Sequence, residues 1–225
     1  MKTALITGAS RGIGLVVAQH LLSTGWKVIG MSRTNSPIVH ENYLQKITDI
    51  KDKNSVKSGF NELADQKIDL LINNSAICRL KPFEHMDDDL IDEMIDTNLK
   101  GTIWVTKWAL PLMPANSRII FMNSVSGDFE FQAQSVYCAT KHGLRAFAGV
   151  LSKELSEKNI KVTSIHPGGV NTTLWNNLNP YPGPDVAKTI DPAEIARVIT
   201  HILESGDNIE YKTVNVYPSQ EIQYY

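Results

Sequence analysis

The sequence predicts an α/β protein: a doubly wound parallel sheet with helices on both faces. Three observations carry that prediction. Short apolar runs alternate with amphipathic stretches along the 225 residues, the pattern of repeated strand–helix units. Runs such as Leu70-Leu71-Ile72 are apolar at every position, as strands covered on both faces must be. A glycine-rich turn beginning at residue 8 separates the first apolar run from the first amphipathic stretch.

In chain order, residues 2–7 read as a strand, 12–23 as a helix with Gly25 near its end, and 27–31 as a second strand. A weaker strand at 44–47 leads to Asp49 and a polar helix over 54–66. Residues 68–72 form a strongly apolar strand, and 87–110 read as one long helix ended by Pro111. A strand at 118–122, a helix at 135–158 and a strand at 161–166 follow. After a loop rich in Asn, Pro and Gly come a helix at 192–205 and a last strand at 212–217. No internal repeat or low-complexity segment interrupts the pattern, so the chain is expected to form one domain over 1–225.

Composition narrows the function classes. A chain of this length buries enough apolar surface to need no metal or disulfide staple. The net charge is −2, with charges scattered rather than blocked, so neither nucleic acid nor a membrane surface is an expected partner. Two cysteines, Cys78 and Cys138, make no disulfide framework and suit a reducing compartment. The first apolar run ends at a glycine by residue 8, too short for a signal peptide or membrane span, and the expected location is cytoplasmic. The histidines show no metal-ligand spacing.

The chemistry concentrates between residues 123 and 141. Tyr137 and Lys141 stand four apart in a helical stretch, so their side chains share one face. An ammonium near a phenol favours the phenolate, which is expected to lower the Tyr137 pKa and suit it to proton transfer. Ser124 follows the strand at 118–122 and emerges at its carboxyl end, where open α/β sheets bind ligands. At the other end of the chain, Gly8, Gly12 and Gly14 permit a tight turn and close backbone approach to a pyrophosphate. The following helix offers free N–H groups and the positive end of its dipole. The spacing is G-x-x-x-G-x-G, which departs from the generic G-x-G-x-x-G dinucleotide fingerprint.

Together these motifs resemble the short-chain dehydrogenase/reductase family. The matching residues are Thr7-Gly8-Ala9-Ser10-Arg11-Gly12-Ile13-Gly14, Asp49, Asn73-Asn74-Ser75-Ala76, Asn98, Ser124, Tyr137-x-x-x-Lys141 and His166-Pro167-Gly168-Gly169-Val170 with Thr172. The resemblance implies a single Rossmann-like domain and reversible hydride transfer between a nicotinamide and a carbonyl or alcohol. It implies that Tyr137 protonates the developing alkoxide, that Lys141 tunes Tyr137 and binds the nicotinamide ribose, and that Ser124 bonds the substrate carbonyl. Asn98 is implied to help hold a water linking Lys141 to solvent. Asp49 and Ile50 are implied to contact adenine, and Asn74, Ser75 and Ala76 to line the cofactor, with Ala76 carrying a methyl where the family usually has glycine. Asn73 reads equally as a structural cap at its strand end. Pro167, Gly168, Val170 and Thr172 match positions that hold the nicotinamide carboxamide.

Charge selects the cofactor. An acidic residue after the second strand suits NAD, whereas an arginine there suits a 2′-phosphate. This strand ends Ser32-Arg33-Thr34 with no Asp or Glu before Glu41, and Arg11 adds a second guanidinium from the glycine turn. NADP(H) is therefore the expected cofactor. The expected function is an NADP(H)-dependent oxidoreductase of a small-molecule carbonyl or alcohol. The alternative is an NADP(H)-binding sensor without turnover, against which the intact Tyr137–Lys141 pair argues.

Past Thr172 the resemblance thins. Residues 171–190 occupy the place of the family's substrate loop. Trp175 and Tyr181 there either line a pocket or pack, and the prolines at 180, 182 and 184 stiffen the segment. Arg79 and Phe83 either reach substrate or are ordinary surface and packing residues; Cys138 and His142 carry no expected role. The resemblance implies a homodimer or homotetramer through the helices bearing Asn98 and Tyr137, with Ala146, Ala148 and Gly149 allowing close packing.

Overall fold

The computed structural model describes residues 1–175 and 188–220. Seven parallel strands form one sheet in the order β3-β2-β1-β4-β5-β6-β7: β1 (Thr3–Thr7), β2 (Lys27–Ser32), β3 (Tyr43–Ile47), β4 (Leu70–Asn73), β5 (Arg118–Met122), β6 (Lys161–Pro167) and β7 (Thr213–Val216). Strands β1, β4 and β5 are buried at every residue, because both faces of the sheet are covered.

Helices α1 (Gly12–Ser23) and α6 (Pro192–Glu204) cover one face, where Val17, Leu21, Ile195 and Ile199 pack on Ala4, Ile6 and Ile72. The helices α2 (Lys53–Asn61), α4 (Thr102–Ala109) and α5 (Ser135–Glu154) cover the other, where Phe60, Val105 and Leu144 meet Leu5, Leu71 and Phe121. Alternate residues of each strand therefore serve opposite core layers. Strand order turns back on itself between β1 and β4. That switch point opens a crevice at the carboxyl ends of the strands, and the site lies there.

Element boundaries follow local chemistry. Asp52 caps α2 by accepting from Asn54 N at 2.8 Å, and Asp191 caps α6 by accepting from Ala193 N at 2.8 Å. Pro192 then takes the first turn of α6, where it costs no hydrogen bond. The polar helix expected over 54–66 stops at Asn61, and the helix expected over 135–158 breaks at Leu155 into a 3₁₀ turn, Ser156–Lys158. Asn159 closes that turn in a left-handed conformation, φ 53°.

The single helix expected over 87–110 is a composite. It runs as α3 (Asp88–Ile95), then a π-helical segment over Asp96–Gly101, then α4. Gly101 explains its course. A Cβ at that position would lie 2.6 Å from Ile50 O, so only glycine lets the helix approach the loop after β3 so closely. A π-segment embedded in a helix is a recurrent mark of a functional site, and this one carries Thr97 and Asn98.

Candidate active site

The turn after β1 is built to bare its backbone. Gly8 and Gly12 lie in the left-handed region, φ 71° and 56°. Arg11 precedes α1 as its N-cap without a side-chain capping bond, and no acidic residue occupies the first turn. The amino end of α1 is thus free to receive an anion. Gly14 has a different duty: a Cβ there would lie 2.4 Å from Gly8 O and 2.5 Å from Asn74 Nδ2. It seats the turn rather than lining the crevice.

Thr7 ties the two central strands together at their carboxyl ends. Its hydroxyl accepts from Asn74 N at 2.9 Å and Ser75 N at 3.0 Å, while Asn74 Nδ2 donates to Thr7 O at 2.9 Å. Asn73 is structural, donating to Thr106 Oγ1 of α4 at 3.0 Å. Ala76, the departure from glycine, is not among the residues held at positive φ, so its methyl imposes no backbone strain.

Tyr137 and Lys141 project from α5 toward the ends of β4 and β5, and both are buried. Lys141 Nζ donates to Met122 O at 3.0 Å and stands 5.7 Å from the centre of the Tyr137 ring. Ser124, just past β5, accepts from Ser126 N at 3.1 Å and lies close enough to Tyr137 to act on its phenol. The electrostatics correct the expectation that the ammonium lowers the Tyr137 pKa. Burial dominates and pushes the phenol well above its ordinary range, Cys78 adds to the rise, and Ser124 pulls the other way. Burial likewise pulls Lys141 down to about 8. Tyr137 is therefore held as the acid, and the group that titrates near neutrality is Lys141.

The Asn98 side chain is met by protein groups at both its oxygen and its nitrogen. Its Oδ1 accepts from Ile77 N at 2.9 Å, and its Nδ2 donates to Ile77 O at 2.9 Å and Thr140 Oγ1 at 3.2 Å. The side chain clamps the loop after β4 to α5 and is committed to protein partners. It is a positioning residue.

A polar hub behind the site escaped sequence reasoning. Asn123 Oδ1 accepts from Ser124 N at 3.0 Å, and its Nδ2 reaches Lys141 O and His166 Nε2, each at 3.3 Å. Fully buried His166 also meets Ser164 Oγ at 2.7 Å, and its Nδ1 faces Asp128 Oδ2 at 2.5 Å. The Asp128 carboxylate can only accept, so it holds the proton on Nδ1 and leaves Nε2 an acceptor. That tautomer in turn orients the Asn123 amide, which holds Ser124 and Lys141 in register. Burial keeps the imidazole pKa below its usual value, against the pull of Asp128. The sequence clue was His166 within the family motif, but nothing in it pointed to Asp128, 38 residues away.

A cleft of about 250 Å³ joins these parts. Gly8, Ser10, Arg11, Gly12, Ile13 and Arg33 line it, as do Asp49, Ile50, Asn74, Ser75, Ala76, Tyr137 and Lys141, and Thr172 lines it beside Gly12, where a Cβ would meet its side chain at 3.5 Å. Sequence reasoning missed Ser32, Thr34, Thr48, Thr97 and Asn123, which also line it. The hydroxyls of Thr48 and Thr97 are buried and have no protein partner, so the wall holds unmet hydrogen-bonding capacity. Asn98, Gly14, Pro167, Gly168 and Val170 are buried outside the lining, and half-buried Ser124 is not among the lining residues either: Gly168 N bonds Val216 O at 2.8 Å, and Val170 O receives the Trp175 indole at 2.7 Å. Trp175 packs with Leu174 against the Tyr137 cluster; Phe83 is 66% exposed and away from the cleft. The loop expected over 171–190 is pinned at its base by Asn171 N to Ile190 O, 2.9 Å. Tyr181 and the prolines at 180, 182 and 184 lie outside the described residues. Among the described residues no cluster of metal-binding side chains occurs, and no helix is long and apolar enough to cross a membrane.

Comparison with known proteins agrees with this architecture. The family profile described as short chain dehydrogenase matches residues 2–182. A probable NADP-dependent dehydrogenase of Haemophilus influenzae is 29% identical, across 97% of this chain and 94% of its own. An uncharacterized short-chain type dehydrogenase/reductase of Sinorhizobium fredii is 30% identical, across 98% and 93%. Among solved structures, a short chain dehydrogenase family protein from Francisella tularensis superposes with a TM-score of 0.89 at 21% identity, covering 97% of this chain and 98% of that one, a likeness of fold. The closed form of a serine dehydrogenase complexed with NADP+ gives 0.86 at 25% identity, covering 95% and 94%. With the family profile matched over residues 2–182 and a relative 30% identical across nearly the whole of both chains, the chain belongs to the short-chain dehydrogenase family of oxidoreductases.

Proposed function

We propose that the protein is an NADP(H)-dependent oxidoreductase that interconverts a small carbonyl compound and its alcohol, with Tyr137 as the proton donor. One observation carries the reading: a buried tyrosine, kept in its acid form, and a buried lysine line the same cleft as the glycine turn, with Ser124 nearby. The bare turn at Gly8 and Gly12 and the open amino end of α1 fit a pyrophosphate. The unmet hydroxyls of Thr48 and Thr97 fit a polar ligand lying along the wall. Arg11 and Arg33 would hold the 2′-phosphate, Asp49 and Ile50 the adenine end, and Lys141 the nicotinamide ribose. When bound, the cofactor supplies the hydride.

The chain's own residues handle the proton. Tyr137 donates its phenolic proton to the carbonyl oxygen as that oxygen becomes an alkoxide. Ser124 donates a hydrogen bond to the same oxygen and stabilises its charge. The Lys141 ammonium stabilises the phenolate left on Tyr137. Alcohol oxidation reverses each step. Turnover of NADPH on addition of aldehydes and ketones tests the reading, and binding without turnover would favour the sensor alternative.

A pH profile follows from the same groups. Tyr137 stays protonated across the neutral range, so the group that changes is Lys141, charged below about 8 and neutral above it. The reductive rate is expected to hold level up to pH 8 and to fall above it, as the phenolate loses its partner. Rates measured in constant-ionic-strength buffers check this; a reductive rate that rises through pH 8 would contradict it.

Arg33 provides the test of cofactor choice. It lines the cleft with its side chain half exposed, and its nearest carboxylate, Glu93, is 3.9 Å away, too far for a committed hydrogen bond. Arg33→Ala is expected to weaken NADPH binding by about 10- to 100-fold, the loss of one hydrogen bond to a charged group. NADH binding should not change. Fluorescence titration with both nucleotides checks this.

A homodimer or homotetramer, in the cytoplasm, completes the proposal. Ala146, Gly149 and Val150 form an exposed small and apolar strip on α5, with Val150 54% exposed. Ala148, expected on that strip, is buried in the protein's own core. Light scattering at micromolar concentration should give at least twice the monomer mass of 25.0 kDa.

A further inference from the structure

The cleft carries one more cation than the cofactor reading uses. Its described lining residues include Arg11, Arg33, Arg79 and Lys141 against a single carboxylate, Asp49. Arg11 and Arg33 lie at the glycine-turn end and Lys141 serves Tyr137. Arg79 is left over.

Its position is fixed by its neighbours in the loop after β4. That loop runs from Asn74, bonded to Thr7 beside the glycine turn, to Ile77, clamped by Asn98. It continues to Cys78, which packs in the cluster holding Val136 and Tyr137. Two residues past Arg79, Lys81 N bonds Ala133 O at 2.9 Å, four residues before Tyr137. Arg79 is therefore held at the reacting end of the cleft. The Cys78 thiol lies within the fields of both Lys141 and Arg79, so both cations are near it.

The guanidinium is also available. Among the described residues its one hydrogen bond runs from Nη1 to Cys78 O, 2.9 Å, and no carboxylate pairs with it. Four of its five N–H donors remain uncommitted there. A guanidinium half-buried in a cleft and steadied by a backbone carbonyl is suited to bidentate capture of a carboxylate.

We propose that Arg79 anchors an anionic group of the substrate, so that the natural carbonyl compound is an oxo acid, an aldehyde or ketone bearing a carboxylate. The inference rests on the reductase reading above. The carboxylate pairs with Arg79 while the carbonyl oxygen meets Tyr137 and Ser124, which fixes which end of the molecule enters first. It also divides the positive charge of the cleft between two anions, the cofactor phosphates at one end and the substrate at the other.

The test compares a series of aldehyde and keto acids with their methyl esters, using NADPH and three proteins: wild type, Arg79→Ala and Arg79→Lys. Wild type is expected to prefer each reactive acid over its ester by about 10-fold or more in kcat/KM. Arg79→Ala should lower kcat/KM for the acid by about 10- to 100-fold, mostly through KM, and leave the ester within twofold. Arg79→Lys should restore part of the loss, since it keeps the charge but not the fork. Equal use of acid and ester by wild type would overturn the inference while leaving the reductase reading standing. Parallel loss on acid and ester in Arg79→Ala would also overturn it, showing that the side chain only braces the loop. Failure of acids, esters and simple carbonyls alike to consume NADPH would overturn the reductase reading and this inference with it.

Discussion

Tyr137→Phe is expected to lower carbonyl turnover by about 1,000-fold, within the range that a general acid contributes, while NADPH binding stays unchanged. The substitution removes one oxygen and leaves the ring in place among Ile77, Cys78, Met94 and Val136. Packing is therefore retained, and only the hydroxyl facing Ser124 is lost. Ser124 and Lys141 remain, so the residual rate reports hydride transfer to a carbonyl polarised by the serine alone. Steady-state rates beside fluorescence titration separate the two effects. Equal rates in mutant and wild type would remove Tyr137 from the chemistry. A parallel loss of binding would mean that the phenol holds the cofactor rather than the proton.

Gly14→Val is expected to have the second-largest effect, on a different step. Even a single Cβ at this position would sit 2.4 Å from Gly8 O and 2.5 Å from Asn74 Nδ2, well inside contact distance. Both partners belong to the junction that holds β1 and β4 together through Thr7. Relief requires the glycine turn to move, and overpacking of this kind costs about 1–3 kcal/mol. The expected result is a fall in NADPH affinity of at least tenfold with a lowered melting temperature. Gly14→Ala serves as the graded comparison, since it adds only that single Cβ. Nucleotide titration and thermal melts of both variants check the prediction.

The fold was legible because its signals are local and repeated. Fully apolar strands such as Leu70-Leu71-Ile72 leave only a sheet buried on both faces, and the glycine turn at residue 8 marks where the first strand hands over to a helix. The placement of Tyr137 and Lys141 was legible for the same reason, since i,i+4 spacing on one helix fixes relative position. What could not be read depends on chain segments brought together by folding. The π-segment at Asp96–Gly101 arises where the helix presses on Ile50 O, a contact with a loop some 50 residues earlier. The duty of Asn98 is set by Ile77 and Thr140, on two other elements. The Asp128–His166–Asn123 hub joins three separate segments. The sign of the Tyr137 shift was misread because spacing reveals a neighbouring charge but not the depth of burial, and here burial is the largest cause and raises the pKa.

These corrections sharpen the mechanism rather than displace it. A tyrosine kept protonated by its surroundings is suited to carbonyl reduction, where the acid form is the reactant. In the proposed mechanism Lys141 then acts on the product of proton donation, the phenolate, instead of preparing it in advance. The hub beneath the site holds Ser124 by its N–H and Lys141 by its carbonyl through one amide. The two groups that the proposal assigns to the reacting oxygen and its proton donor are thereby fixed from a single point.

The most direct measurement follows the transferred hydrogen itself. NADPH deuterated at both hydrogens of the transferring nicotinamide carbon is given to the wild-type protein with an aldehyde that it consumes, and the alcohol is analysed by mass spectrometry. The expected result is one deuterium on the carbinol carbon for each NADPH oxidised, delivered by wild type and about 1,000-fold more slowly by Tyr137→Phe. An alcohol free of label, or NADPH bound tightly with no aldehyde consumed from a broad panel, would contradict the proposed reaction.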